Sequence, residues 1–116
     1  MHGFCHIELP CTDFAKIGKF YTDVFGWNVR EIPEMNYAMF QTPDGPDGGF
    51  SKQAKIAGEP GIALYIEVED IDAILKKIEE AGGKAVHPKT AISPDFGFFG
   101  IFTDVEGNSI GLWSKN

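Results

Sequence analysis

At 116 residues and 43% hydrophobic, the chain has the length and composition of one globular domain with a packed core. A formal net charge of −7 excludes the basic footprint of a nucleic-acid binder and suits a pocket for neutral or cationic ligands. No run approaches the ~18 apolar residues of a membrane span, and no basic-then-apolar start reads as an export signal; a cytoplasmic protein without membrane or nucleic-acid partners is expected.

The first predicted strand covers residues 4–9, with Cys5, Ile7 and Leu9 on one face and His6 and Glu8 on the other. Pro10 ends it, because proline cannot donate to a sheet ladder. Thr12 or Asp13 then caps a helix in which Phe14, Ile17, Phe20, Tyr21, Val24 and Phe25 recur at helical spacing. Gly26 supplies its left-handed stop. Strands follow at 27–32, 37–42 and 48–52, separated by turns at 33–36 and through PDGPDG, 43–48. The glycine pair at 48–49 lets a backbone or a ligand come close, and a tight hairpin exit is one reason for it.

Residues 53–61 read as a linker between modules 1–52 and 62–116, which together make one domain. The second module opens with a strand at 62–68, which places Ala63, Tyr65 and Glu67 on one face. Asp70 caps a helix whose apolar face is Ile71, Ile74, Leu75 and Ile78, and Gly82 and Gly83 stop it. A proline-bearing edge strand at 84–90, a loop at 91–96 and strands at 97–103 and 109–113 complete the chain. Asp13 aligns with Asp70, and Phe14, Ile17, Tyr21 and Gly26 with Ile71, Ile74, Ile78 and Gly83, so the chain is a repeated unit. Each copy is strand, helix, three strands. The fold class is α+β, two βαβββ modules with about eight strands and the helices on one side.

Cys5 and Cys11, joined by an extended segment, stand roughly 20 Å apart at ~3.3 Å per residue, against the ~7 Å limit of a disulfide. Both read as reduced thiols, Cys5 buried on the apolar face and Cys11 the more exposed.

HIELP followed by TDFAKIGKFYTDVFGW, the repeat VEDIDAILKKIEEAGG and the closing FTDVEGNSIGLW resemble the vicinal oxygen chelate superfamily, which includes glyoxalase I, extradiol dioxygenases and bleomycin-resistance proteins. The resemblance covers nearly the whole chain. It implies paired βαβββ modules whose curled, roughly eight-stranded mixed sheet encloses a central cup. It also implies a homodimer, and, in metal-using members, a divalent ion held from the first and last strands of each module. Carried over residue by residue, those ligand positions fall on His6, Gly49, Ala63 and Gly111. Glycine and alanine side chains offer no lone pair, and a lone imidazole does not hold an ion against water. The expected protein therefore has no metal and no other cofactor. It is similar to bacterial proteins described only as related to lactoylglutathione lyase, which carry a carboxylate where Glu8 stands and end in GLW.

The residues facing the expected cup are His6, Glu8, Tyr65, Glu67 and Trp113: an imidazole, a phenol, two carboxylates and an indole beside Gly111 that would leave room above it. Such a lining binds a polar or cationic ligand. With a carboxylate pKa raised by burial, His6 and Glu8 would instead be catalytic. The plainer reading is a polar sheet face satisfied by its own hydrogen bonds. Phe98, Phe99 and Phe102 read as core or dimer interface, and His87 as solvated. Three functions follow: a metal-free small-molecule binder, a divergent lyase or isomerase using His6, Glu8 or Tyr65 for acid–base chemistry, and a protein-interaction module.

Overall fold

The computed structural model describes residues 1–52 and 62–116. The linker expected at 53–61 lies outside the described residues. The chain divides into two units, Met1–Ile56 and Ala57–Asn116.

The first unit runs β1 (Ile7–Pro10), α1 (Phe14–Phe25), β2 (Asn28–Ile32), a short 3-10 turn (Pro33–Met35), β3 (Tyr37–Gln41) and β4 (Gly48–Ser51). The second runs β5 (Tyr65–Glu67), α2 (Ile71–Glu80), β6 (Lys84–Ser93), β7 (Gly97–Thr103) and β8 (Ser109–Ser114). Each unit is a four-stranded mixed sheet, in the orders β1-β4-β3-β2 and β5-β8-β7-β6. In both, the first strand pairs parallel with the last, and the other pairings are antiparallel. This is the expected βαβββ plan, made twice. Among the described residues no helix is long and apolar enough to cross a membrane.

The helices form where capping and periodicity dictate. Asp13 accepts from the Lys16 N–H at 3.1 Å and Asp70 from the Ala73 N–H at 3.0 Å, so each satisfies one of the orphan donors of a first turn. Gly26 closes α1 at φ 72°, a conformation that costs a side chain with a Cβ, and its N–H returns to the Thr22 carbonyl. That reversal turns Trp27 back onto the helix, where its ring stacks on Tyr21 at 4.5 Å and on Phe40 at 4.7 Å. Phe50, fully buried, completes this aromatic core beneath α1. In the second unit the buried set is mainly aliphatic: Ile71, Leu75 and Ile78 of α2 and Ile110 and Leu112 of β8, with Phe102 of β7. Burial of each such side chain stabilises by about 1.5–3 kcal/mol.

Three expectations need correction. β1 is Ile7–Pro10, not 4–9, and its ladder continues through the Cys11 N–H to the Ser51 carbonyl at 3.1 Å. The inward row is therefore Ile7, Leu9 and Cys11, so Cys11 is buried and Cys5, ahead of the strand, is exposed. Pro10 is tolerated because β1 is an edge strand. The segment 91–96 is not all loop, since β6 extends to Ser93, with register shifts on either side of His87 and after Ala91. β5 is only Tyr65–Glu67, shorter than 62–68, although the Val68 N–H and the Leu64 carbonyl still bond to β8.

Candidate functional site

In each unit the helix covers one face of the sheet, and side chains of the strands line the other. On the open face of the first sheet, alternation puts Tyr37 and Met39 of β3 beside Gly49 and Ser51 of β4. Glu8 of β1 lies directly opposite Gly49. His6 precedes β1 and is held there by the Ile7 N–H donating to the Asp47 carbonyl at 3.2 Å. Asn36, left-handed at φ 50°, ends the 3-10 turn and launches Tyr37 into its strand.

These side chains make one network with Tyr37 at its centre. The Tyr37 hydroxyl donates to Glu8 Oε2 at 3.1 Å and lies 2.6 Å from His6 Nε2. A phenol has a single proton, and here it goes to the carboxylate, so His6 Nε2 carries the hydrogen and donates to the phenol oxygen. The imidazole and phenol rings lie nearly parallel, 17° apart, with centroids at 6.2 Å. His6 Nε2 and Glu8 Oε2 are 3.9 Å apart, with side chains 42% and 48% exposed. Burial first, then the hydrogen bond and the charge of Glu8, push the Tyr37 phenol up to about 12. It stays protonated at neutral pH and makes a poor proton acceptor there. The network borders an open hollow of about 610 Å³ lined by His6, Glu8, Met35, Asn36, Tyr37, Met39 and Ser51.

The equivalent face of the second unit is aromatic. A hollow of about 510 Å³ is lined by Tyr65, Ile92, Phe99 and Trp113. The Trp113 indole N–H donates to the Phe96 carbonyl at 2.7 Å, which fixes the ring and leaves its surface to the hollow. Phe99 stacks on His87, centroids 4.9 Å apart. Glu67 lies opposite Trp113 in the β5–β8 ladder but does not line the hollow.

The residues do not fit the divalent metal that the fold implies. A Cβ placed on Gly49 would run into the Tyr37 ring, and one on Gly111 into the Tyr65 ring. Both strand positions that supply ligands in metal-using members thus lie under a phenol ring, which a carboxylate or imidazole there would have to displace. Ala63 brings no donor, and His6 Nε2 is already engaged by Tyr37. Among the described residues, no three His, Cys, Asp or Glu side chains cluster so as to hold an ion.

Of the site residues expected from sequence, His6 and Glu8 come together and Tyr65 and Trp113 come together, one pair in each unit. The room expected above Gly111 is filled by Tyr65. Phe99, expected in the core or a dimer interface, lines the second hollow, whereas Phe102 is fully buried in the core. Sequence reasoning missed Tyr37, the hub of the network. The alternation of YAMFQ around the buried Ala38 and Phe40 carried the signal, since it turns Tyr37 and Met39 to the open face.

Residues 4–43 match the sequence family described as bleomycin resistance protein-like N-terminal. A glyoxylase-like domain-containing protein of Didymella fabae is 32% identical over 99% of this chain and 96% of its own length. The chain belongs to the glyoxalase/bleomycin-resistance/dioxygenase superfamily, the vicinal oxygen chelate proteins. Other curated members are longer; the chain covers 44% of Mycobacterium tuberculosis CFP32, at 31% identity over 95% of this chain. Two solved structures of the superfamily fold superpose over the whole chain. The fosfomycin resistance protein FosX of Listeria monocytogenes has a TM-score of 0.80 at 15% identity, with 93% of its chain covered. The antibiotic binding protein TnmS3 of Streptomyces sp. CB03234 has a TM-score of 0.75 at 19% identity, with 98% covered.

Proposed function

We propose that this superfamily member binds a small polar or cationic molecule and needs no metal ion to do so. The observation that supports this most is the covering of Gly49 and Gly111 by tyrosine rings at the positions where metal-using members place ligands. His6 and Glu8 line the first hollow, where the Glu8 carboxylate offers an acceptor held in place by Tyr37. Trp113 and Tyr65 supply flat surface beside the second, with Glu67 as the nearby carboxylate. TnmS3 is an antibiotic binding protein of the same fold, which favours binding over turnover by analogy.

A second reading has one observation in its favour. The hydrogen bonds from His6 through Tyr37 to Glu8 form a continuous path for a proton, which a divergent lyase or isomerase would use. The high pKa of the phenol weighs against it at neutral pH. The proposal also takes the protein as a homodimer, for which the exposed Val86, Ile92 and Phe96 of the second unit offer apolar surface.

A thermal-shift screen of chelator-treated protein against a metabolite library tests the binding reading. Stabilisation by at least one compound without added metal is expected, and it should persist in part in Glu8→Gln. Compounds that act only after divalent metal is restored would overturn it. Product formation that Glu8→Gln abolishes while binding survives would favour the second reading.

A further inference from the structure

The hollow of the first unit has a chemistry narrower than polar. Among the described residues, seven line it, and none is lysine or arginine. The one carboxylate among them belongs to Glu8. That carboxylate is half exposed, and only one of its two oxygens is taken. Oε2 accepts from Tyr37, while Oε1 has no partner among the described residues. The phenol that grips Oε2 keeps its proton and adds no second negative charge. It orients the carboxylate through Oε2. Around this fixed charge stand two exposed thioethers, Met35 at 66% and Met39 at 37% relative exposure. Methionine is soft and adaptable, and it covers apolar bodies of varied shape. The Tyr37 ring adds an aromatic face beside them.

We propose that this hollow takes a small organic cation: a protonated amine that pairs with Glu8, carried on an apolar or aromatic body that rests on Met35, Met39 and Tyr37. The inference rests on the binding reading above and gives it a ligand class. An anionic ligand would meet Glu8 with no lysine or arginine among the described lining residues to offset it. A neutral one would leave the free carboxylate oxygen to water. Glu8 and Tyr37 divide the work, because Glu8 touches the ammonium and Tyr37 positions Glu8. The global charge of −7 would add a weak, salt-screened attraction to the same cations.

Three probes of one shape and different charge test this: 1-naphthylmethylamine, 1-naphthalenemethanol and 1-naphthoate, each measured by equilibrium dialysis against chelator-treated protein. The amine should bind roughly five- to tenfold more tightly than the alcohol, the order expected of one half-exposed charged hydrogen bond, and the carboxylate most weakly. Glu8→Gln should bring amine and alcohol to equal affinity. Tyr37→Phe should shrink the preference without abolishing it, and Met39→Ala should weaken amine and alcohol alike. Glu8 is half exposed and Glu8→Gln keeps an acceptor for Tyr37, so this variant should keep the wild-type melting temperature within roughly 3 °C. Equal binding of all three probes, or an amine preference that survives Glu8→Gln, would overturn the cation inference and leave small-molecule binding standing. Failure of all three probes alongside hits from the library would do the same. Failure of the probes and of the library would sink both.

Discussion

The open faces of the two sheets occupy corresponding positions, yet one is polar and the other aromatic. By strand register Glu8 corresponds to Tyr65, Tyr37 to Phe99 and Ser51 to Trp113, around glycines at 49 and 111. In each unit a tyrosine ring lies over the glycine, but it comes from a different neighbour. Tyr37 reaches Gly49 diagonally from β3, and Tyr65 reaches Gly111 from directly across on β5. The same vacancy is filled by two unrelated routes. This is what one expects if the duplicated frame requires only a small residue there, and each copy has been free to choose what covers it. The first copy used the freedom to build a hydrogen-bonded charge, the second to build an apolar wall.

The largest effects should come from reversing that choice. Gly49→Glu and Gly111→Glu each force a side chain into a tyrosine ring, and each should destabilise the protein by about 1–3 kcal/mol in denaturant unfolding. Pairing Gly49→Glu with Tyr37→Ala, or Gly111→Glu with Tyr65→Ala, should recover part of the loss, because the obstructing ring is gone. If either single glutamate variant proves as stable as wild type, the covering described for that unit is wrong.

A smaller effect separates the two faces by pH. The folded Tyr37 phenol holds its proton up to about 12, while the unfolded chain releases it near 10. The contribution is fully present below pH 10. It is lost as the pH rises toward about 12, because the unfolded state then binds fewer protons than the folded one. Tyr37→Phe should flatten that alkaline decline, and at neutral pH it should cost at most about 0.5–1.5 kcal/mol for the lost hydrogen bond. An alkaline profile identical in Tyr37→Phe and wild type would mean that the phenol is not bonded to Glu8.

Local chemistry made most of the frame legible. Thr12 or Asp13 and then Asp70 announced helix starts, and Gly26 and the pair Gly82 and Gly83 their ends, although it is Gly82, not the aligned Gly83, that takes the positive φ; the alignment of one copy on the other gave both modules the same plan. What local pattern does not carry is register. The misplacement of Cys5 came from starting β1 too early and that of Cys11 from ending it too early, because alternation fixes a face only inside the strand. Tyr37 escaped notice for a related reason. It lies 31 residues from His6 and 29 from Glu8, and only the pairing of β3 with β4, and of β4 with β1, brings the three together. Tyr65 and Trp113 were placed on the right face, but that the phenol ring would occupy the space over Gly111 depends on a cross-strand pairing as well.

The account stands or falls on whether those roofed glycines have taken the metal out of the chemistry. Elemental analysis of protein purified without an affinity tag or chelator, read beside ligand affinity before and after dialysis against a chelator, tests this most directly. The prediction is a trace of divalent metal far below one equivalent and an unchanged affinity. One equivalent of zinc, nickel, manganese or iron whose removal abolishes binding would contradict it.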